Sequence, residues 1–152
     1  MKILIKTPIA NDYKVVFSKF NLDLFKALKP PLTSLIVERF DGCKKGGEVH
    51  LIVSGQKWVS HITSDYEDET AIYFIDEGFI IPPPIKKWKH KHLILKTGDH
   101  QCVVIDDINF TTGITLLDYL MYPILLAAFS LRKPVYVREL SLEKNMSMSR
   151  FP

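Results

Sequence analysis

The feature that most constrains this chain is a change of texture at Leu32: from there to Phe110, β-branched and aromatic residues come in short runs cut by turn residues. Such runs read as extended strands. Six are expected, over residues 32–40, 47–54, 57–64, 70–77, 87–96 and 101–110, with turns at Gly46-Gly47, Ser54-Gly55, residues 65–69 and Gly98-Asp99. Links this short join strands that run antiparallel and pair with their sequence neighbours. The exception is 78–86, GFIIPPPIK, where three prolines cannot donate ladder hydrogen bonds and favour a stiff, extended path.

The flanks have a different period. Residues 2–7, KILIKT, alternate as a seventh strand, which Pro8 is expected to stop, and Asn11 and Asp12 offer a helix N-cap. Tyr13, Val16, Phe17 and Phe20 then fall at helical spacing, and Leu24, Phe25 and Leu28 resume it after a break at Asn21. Pro30 and Pro31 end this pair of short helices. After Gly113, residues 114–133 read as the longest helix, with Pro123 expected to kink it and Pro134 to interrupt it. Residues 135–144 suit either a helical extension or a last strand, and 145–152 are expected to fray. One domain over 1–144 accounts for the chain.

Size and charge narrow the function. A chain of 152 residues, 47% apolar, buries one substantial core. Its formal charge of +3 comes from interspersed acids and bases, with no run of Lys or Arg beyond two, so a nucleic-acid footprint is not expected. Cys43 and Cys102 lack disulfide-scaffold or metal-ligand spacing, which points to reduced thiols and a cytoplasmic protein. The N-terminal segment lacks the long apolar stretch of a signal peptide. Residues 114–131 approach the length of a membrane span, but Asp118 and Pro123 interrupt them and the rest reads as soluble strands.

The order strand, two short helices, six strands, long helix implies an antiparallel sheet whose apolar face a helix must cover. A long helix laid across a strongly curved sheet leaves a gap, and a gap is a candidate ligand site. The residues that fill this frame resemble those of the START-like helix-grip superfamily, also called SRPBCC, and within it the small bacterial proteins. They are Phe74-Ile75-Asp76-Glu77, the prolines 82–84, Trp88-Lys89-His90-Lys91-His92, and Asp106 with Phe110. Phe40-Asp41-Gly42 with Gly46-Gly47, Trp58, and Arg132 at the end of the long helix add to the match. Ile94 and Thr111-Thr112-Gly113 depart from it, where an aromatic and a proline would be expected. The resemblance implies an α+β helix-grip fold, with a curved seven-stranded antiparallel sheet, two short helices and one long C-terminal helix enclosing a cavity. It also implies binding of a hydrophobic ligand, with no assigned chemistry to carry over.

Strand alternation places Trp88, His90 and His92 on one face and Lys87, Lys89 and Lys91 on the other, so the histidine face is expected inside. By the same count Phe74 and Asp76 share a face, as do Asp106 and Phe110, which lets the two aspartates flank the histidines. Three readings remain open: a fixed hydrogen-bond network, a group that orients a ligand's polar end, and a metal site. The last needs three donors aimed at one point, which spacing does not show. His50, His61 and His100 lie elsewhere without evident convergence. No GxSxG, P-loop or GxGxxG occurs.

The expected ligand site is therefore Trp58, Phe74, Asp76, Trp88, His90, His92, Asp106 and Phe110, with Leu116, Leu120 and Ile124 of the long helix. No cofactor is expected. Because the helix is apolar all round, its Tyr122, Leu125 and Phe129 side is expected to meet a second copy or a membrane surface. The function this supports is carriage of a lipid, isoprenoid or aromatic polyketide. The alternatives are a cyclase- or aromatase-like enzyme using a cavity histidine, and an interaction module with a filled interior.

Overall fold

The structure, a computed structural model, describes residues 1–142. The expected fraying of 145–152 lies outside the described residues, as do 143 and 144. The chain runs β1 (Lys2–Ile9), α1 (Tyr13–Ser18), α2 (Leu22–Ala27), β2 (Leu35–Phe40), β3 (Glu48–Val53), β4 (Gln56–Glu67), β5 (Ala71–Ile80), β6 (Lys87–Gly98), β7 (Gln101–Thr111), α3 (Thr115–Ser130) and α4 (Arg132–Leu140). The strands form one antiparallel sheet in the order β1-β7-β6-β5-β4-β3-β2. This is the helix-grip α+β fold. Register shifts in β2/β3, β4/β5 and β6/β7 mark bulges, which bend and twist the strands they interrupt.

Two expectations at element ends change. Pro8 does not stop β1, which continues to Ile9 and pairs Pro8 with Val103. The reason is position: β1 is a sheet edge, where a missing N–H can face away from the ladder. In the sheet's interior, β5 runs past Asp76 and Glu77 to Ile80, and Ile81 folds back over Gly78. A Cβ at Gly78 would stand 2.5 Å from Ile81 Cδ1, so any larger residue there has to push the Ile81 side chain aside.

The helix caps follow the sequence. Asp12 accepts from the Lys14 and Val15 amides, and Asn21, where the break is expected, accepts from those of Asp23 and Leu24. Residues 135–140, whose sequence suits helix and strand alike, are helical as part of α4, with Pro134 in the first turn where its missing N–H costs little. Tyr136 and Leu140 of α4 are fully buried against Ile9, Val16, Ile94 and Val104. Asn11, itself buried, donates its Nδ2 to the Leu140 carbonyl at 2.8 Å and pins the helix end to β1. Asn11→Ala is expected to cost about 1–3 kcal/mol in urea denaturation, because the carbonyl it serves has no water to replace it.

The phase of α3 is the main correction. Its single acidic residue, Asp118, turns inward, accepting from the Thr112 amide (2.6 Å), Thr112 Oγ1 (2.7 Å) and Thr111 Oγ1 (2.9 Å). Those bonds close the β7–α3 connection and orient the helix. Residues four, seven and eleven further on, Tyr122, Leu125 and Phe129, therefore face the sheet. Leu116, Leu120 and Ile124, expected inside, are instead 71%, 59% and 61% exposed.

Candidate functional site

Two apolar clusters flank a polar band on the inner face of the sheet. On β6 the inward sequence is Trp88, His90, His92, Ile94; on β7 it is Cys102, Val104, Asp106, Ile108, Phe110. Ile94, Cys102 and Val104 join the cluster under α1, α2 and α4, whereas Trp88, Ile108 and Phe110 join the one under α3. His90, His92 and Asp106 lie between them, with Asp76 beside them on β5.

The hydrogen bonds run diagonally across the ladder. Asp76 stands opposite His90 in register and Asp106 opposite His92. Yet Asp76 Oδ2 bonds His92 Nε2 at 2.9 Å, and Asp106 Oδ1 bonds His90 Nε2 at 2.8 Å. The second ring nitrogens stay at 3.7 Å from the opposite carboxylates, and the two imidazole centroids are 3.7 Å apart. Tyr136 donates its hydroxyl to Asp106 Oδ1 at 3.3 Å.

Burial sets the charges. His92, 12% exposed in its side chain, is pushed down to about 4 by desolvation and then by the charge of His90, which outweigh the attraction of Asp76 and Asp106. For Asp106 burial acts upward, but the bond from His90 and the charges of His90, Arg132 and His92 prevail and hold it down to about 2. Asp76 is lowered in the same way, burial being overcome by the His92 bond and the neighbouring cations. Near neutrality both carboxylates are ionised and can only accept, so His92 Nε2 carries the proton and Nδ1 is a bare lone pair. That Nδ1 and Asp106 Oδ2 are buried without partners among the described residues.

This arrangement gives a pH signature. The unfolded His92 takes a proton near 6.5 and the folded one only near 4. Stability is thus complete above 6.5 and falls as pH drops toward 4, by at most about 1.4 kcal/mol per pH unit. The aspartates, lowered in the fold, add stability that is lost only at still lower pH. Urea midpoints at pH 7, 5.5 and 4.5 are expected to fall steadily, and His92→Gln to flatten the decline. Equal slopes in the two proteins would remove His92 as its source.

A pocket of about 250 Å³ opens between this wall and the helices. Of the expected site residues, Trp58, Phe74, Asp76, Trp88, His90 and His92 line it. Asp106 lies behind the wall, bonded to His90, and Phe110 packs in the cluster under α3. Leu116, Leu120 and Ile124 lie outside. Their place is taken by Leu125, Phe129 and Arg132, with Phe20 and Leu24 from the helix pair. Arg132 stacks its guanidinium 4.0 Å from the Phe129 ring centroid, and its Nε is buried without a partner among the described residues. The sequence signal for these residues is the spacing Asp118, Tyr122, Leu125, Phe129, Arg132, a single helical face with charge at both ends. Cys43 also reaches the pocket, but burial pushes its thiol up to about 12, so it is not a nucleophile. Among the described residues, those able to hold a metal are Asp76, His90 and His92, which offer donor atoms within 4.8 Å of one another.

No protein-family model and no curated protein matches the sequence. Solved structures do. A solution structure from Thermobifida fusca superposes with a TM-score of 0.67 at 13% identity, over 90% of this chain and 89% of that one. The norcoclaurine synthase of Thalictrum flavum, solved as a point mutant with a transition-state analogue, gives 0.58 at 9% identity, over 90% and 93%. The di-domain aromatase/cyclase BexL of the BE-7585A biosynthetic pathway gives 0.59 at 9% identity, over 88% of this chain and 45% of that one. At these identities the likeness is one of fold, and it is the helix-grip α+β fold that the sheet order and C-terminal helix display.

Proposed function

We propose that this protein binds and carries a small hydrophobic molecule, of lipid, isoprenoid or aromatic polyketide type, without covalent chemistry. The observation that carries this reading is the pocket: apolar side chains from the sheet, α2 and α3 surround a space of about 250 Å³, with the Asp76, His90 and His92 group, Ser60 and Arg132 among the polar side chains of its lining. That is near the lower end of the roughly 300–1,000 Å³ of small-molecule sites, where apolar burial drives affinity and a few polar atoms set orientation. Trp58 and Trp88, in edge-to-face contact at 5.3 Å within the lining, supply a built-in reporter. Native mass spectrometry is expected to show co-purified adducts, and a naphthalene-based probe to quench tryptophan emission on binding. A clean apo mass with no quenching removes the carrier reading.

A second reading is a cyclase- or aromatase-like enzyme, favoured by the two histidine–aspartate pairs on the pocket wall. His92→Ala retaining the ligand but losing turnover would select it. An interaction module with a filled interior has less support, since the pocket is there to be filled. The cytoplasm remains the proposed compartment, in keeping with two free thiols.

The partner surface expected at Tyr122, Leu125 and Phe129 is displaced by the phase of α3 to its opposite face. Thr115–Leu140 is long and apolar enough to cross a membrane by length and composition, and only 11% of its apolar window is buried. A lipid surface is the occupant we propose for the Leu116, Leu120 and Ile124 face: the stripe carries no charge, while Lys86 beside Gly113 and exposed Lys133 stand near its two ends. Leu120→Glu with Ile124→Glu is expected to weaken sedimentation with anionic phosphatidylglycerol vesicles at least tenfold. A dimer by light scattering that these changes dissolve would assign the face to a second copy instead.

A further inference from the structure

We propose that Asp76 Oδ2, His90 Nδ1 and His92 Nε2 form a three-donor site for a divalent first-row transition metal, zinc or ferrous iron, with a coordination position left toward the pocket. The proposal shares a wall with the carrier reading but does not depend on it.

The distances suit an ion. Ligands about 2.1 Å from a tetrahedral centre stand about 3.4 Å apart, and Asp76 Oδ2 lies 2.9 Å from His92 Nε2 and 3.7 Å from His90 Nδ1. Each of the three residues offers a donor atom within 4.8 Å of those of the other two. Two imidazoles and one carboxylate are the donor set that zinc and non-haem iron accept. All three residues line the pocket, so an open position has access to what enters it.

An atom left unpaired argues in the same direction. Without a metal, His92 Nδ1 is buried and unsatisfied among the described residues. If the metal takes His92 Nε2, the imidazole proton moves to Nδ1, which faces Asp106 Oδ1 from 3.7 Å. Asp106 already receives His90 Nε2 at 2.8 Å, the nitrogen remote from the proposed donor Nδ1. One carboxylate then orients both ligating rings, as acceptors behind metal-bound histidines generally do. Cys43, whose Sγ donates to the Phe20 carbonyl, is not among the residues whose donor atoms lie together here.

The test is metal uptake by the full chain, stripped with chelator and titrated with zinc by calorimetry and with cobalt(II) by visible absorption. One equivalent per chain is expected, with cobalt bands of a four- or five-coordinate ion. Asp76→Asn combined with His92→Gln is expected to lower affinity at least 100-fold. Asp106→Asn, which touches no metal, is expected to lower it 10- to 100-fold. Circular dichroism confirms that each variant is folded, and His50→Ala, His61→Ala and His100→Ala are expected to bind as the parent does. Absence of stoichiometric uptake, or uptake that survives the double substitution, overturns the site. Probe binding on the same samples separates the two ideas: metal without probe upholds this site and sinks the carrier, and probe without metal does the reverse.

Discussion

Asp106→Ala is expected to destabilise the protein by about 3–5 kcal/mol, more than any other single substitution in the polar band. Asp106 is 1% exposed and receives His90 Nε2 at 2.8 Å and Tyr136 Oη at 3.3 Å. Removing it leaves a buried imidazole and a buried phenol without an acceptor, between two apolar clusters with nothing to offer them. The phenol cannot escape by ionising, because burial raises Tyr136 further above its ordinary range. Asp106→Asn keeps an acceptor and is expected to cost about half as much. Guanidinium denaturation followed by tryptophan fluorescence measures both. A loss under about 1 kcal/mol for Asp106→Ala would mean that the band is not a joint between the two halves of the core.

Leu125→Trp is expected to reduce ligand affinity at least 30-fold while leaving the fold intact. Leu125 is on the inward face of α3 and lines the pocket, so a larger ring there occupies the space a ligand needs. Overpacking a full core costs about 1–3 kcal/mol, but a side chain entering an open pocket meets less resistance. A 30-fold loss corresponds to about 2 kcal/mol of binding energy. Leu120→Trp, one face round the same helix and 59% exposed, is the control and is expected to bind as the parent does. If Leu120→Trp blocks the probe and Leu125→Trp does not, α3 presents its Leu120 face to the ligand and Leu125 does not wall the pocket.

The sheet is legible in the sequence because its signal is local. Alternation with a period of two puts Trp88, His90 and His92 on one face and the lysines on the other, and short turns fix the order from β2 to β7. The same alternation brings Asp76, His90, His92 and Asp106 into one band. It cannot say that the bonds cross diagonally, since that depends on register and on which rotamers the imidazoles share at 3.7 Å. Tyr136 is out of its reach too, because α4 suits strand and helix alike until packing on β1 decides.

The long helix shows the limit most clearly. Its sequence determines that it is a helix and that it is apolar, but an element apolar on every side carries no information about which side faces the sheet. The charge on Asp118 suggests solvent, and the tertiary structure decides otherwise because Thr111 and Thr112 satisfy that carboxylate at the end of β7. Periodicity reports how residues are arranged within one element. Where two elements meet is set by hydrogen bonds and packing between them, and those exist only once the chain has folded.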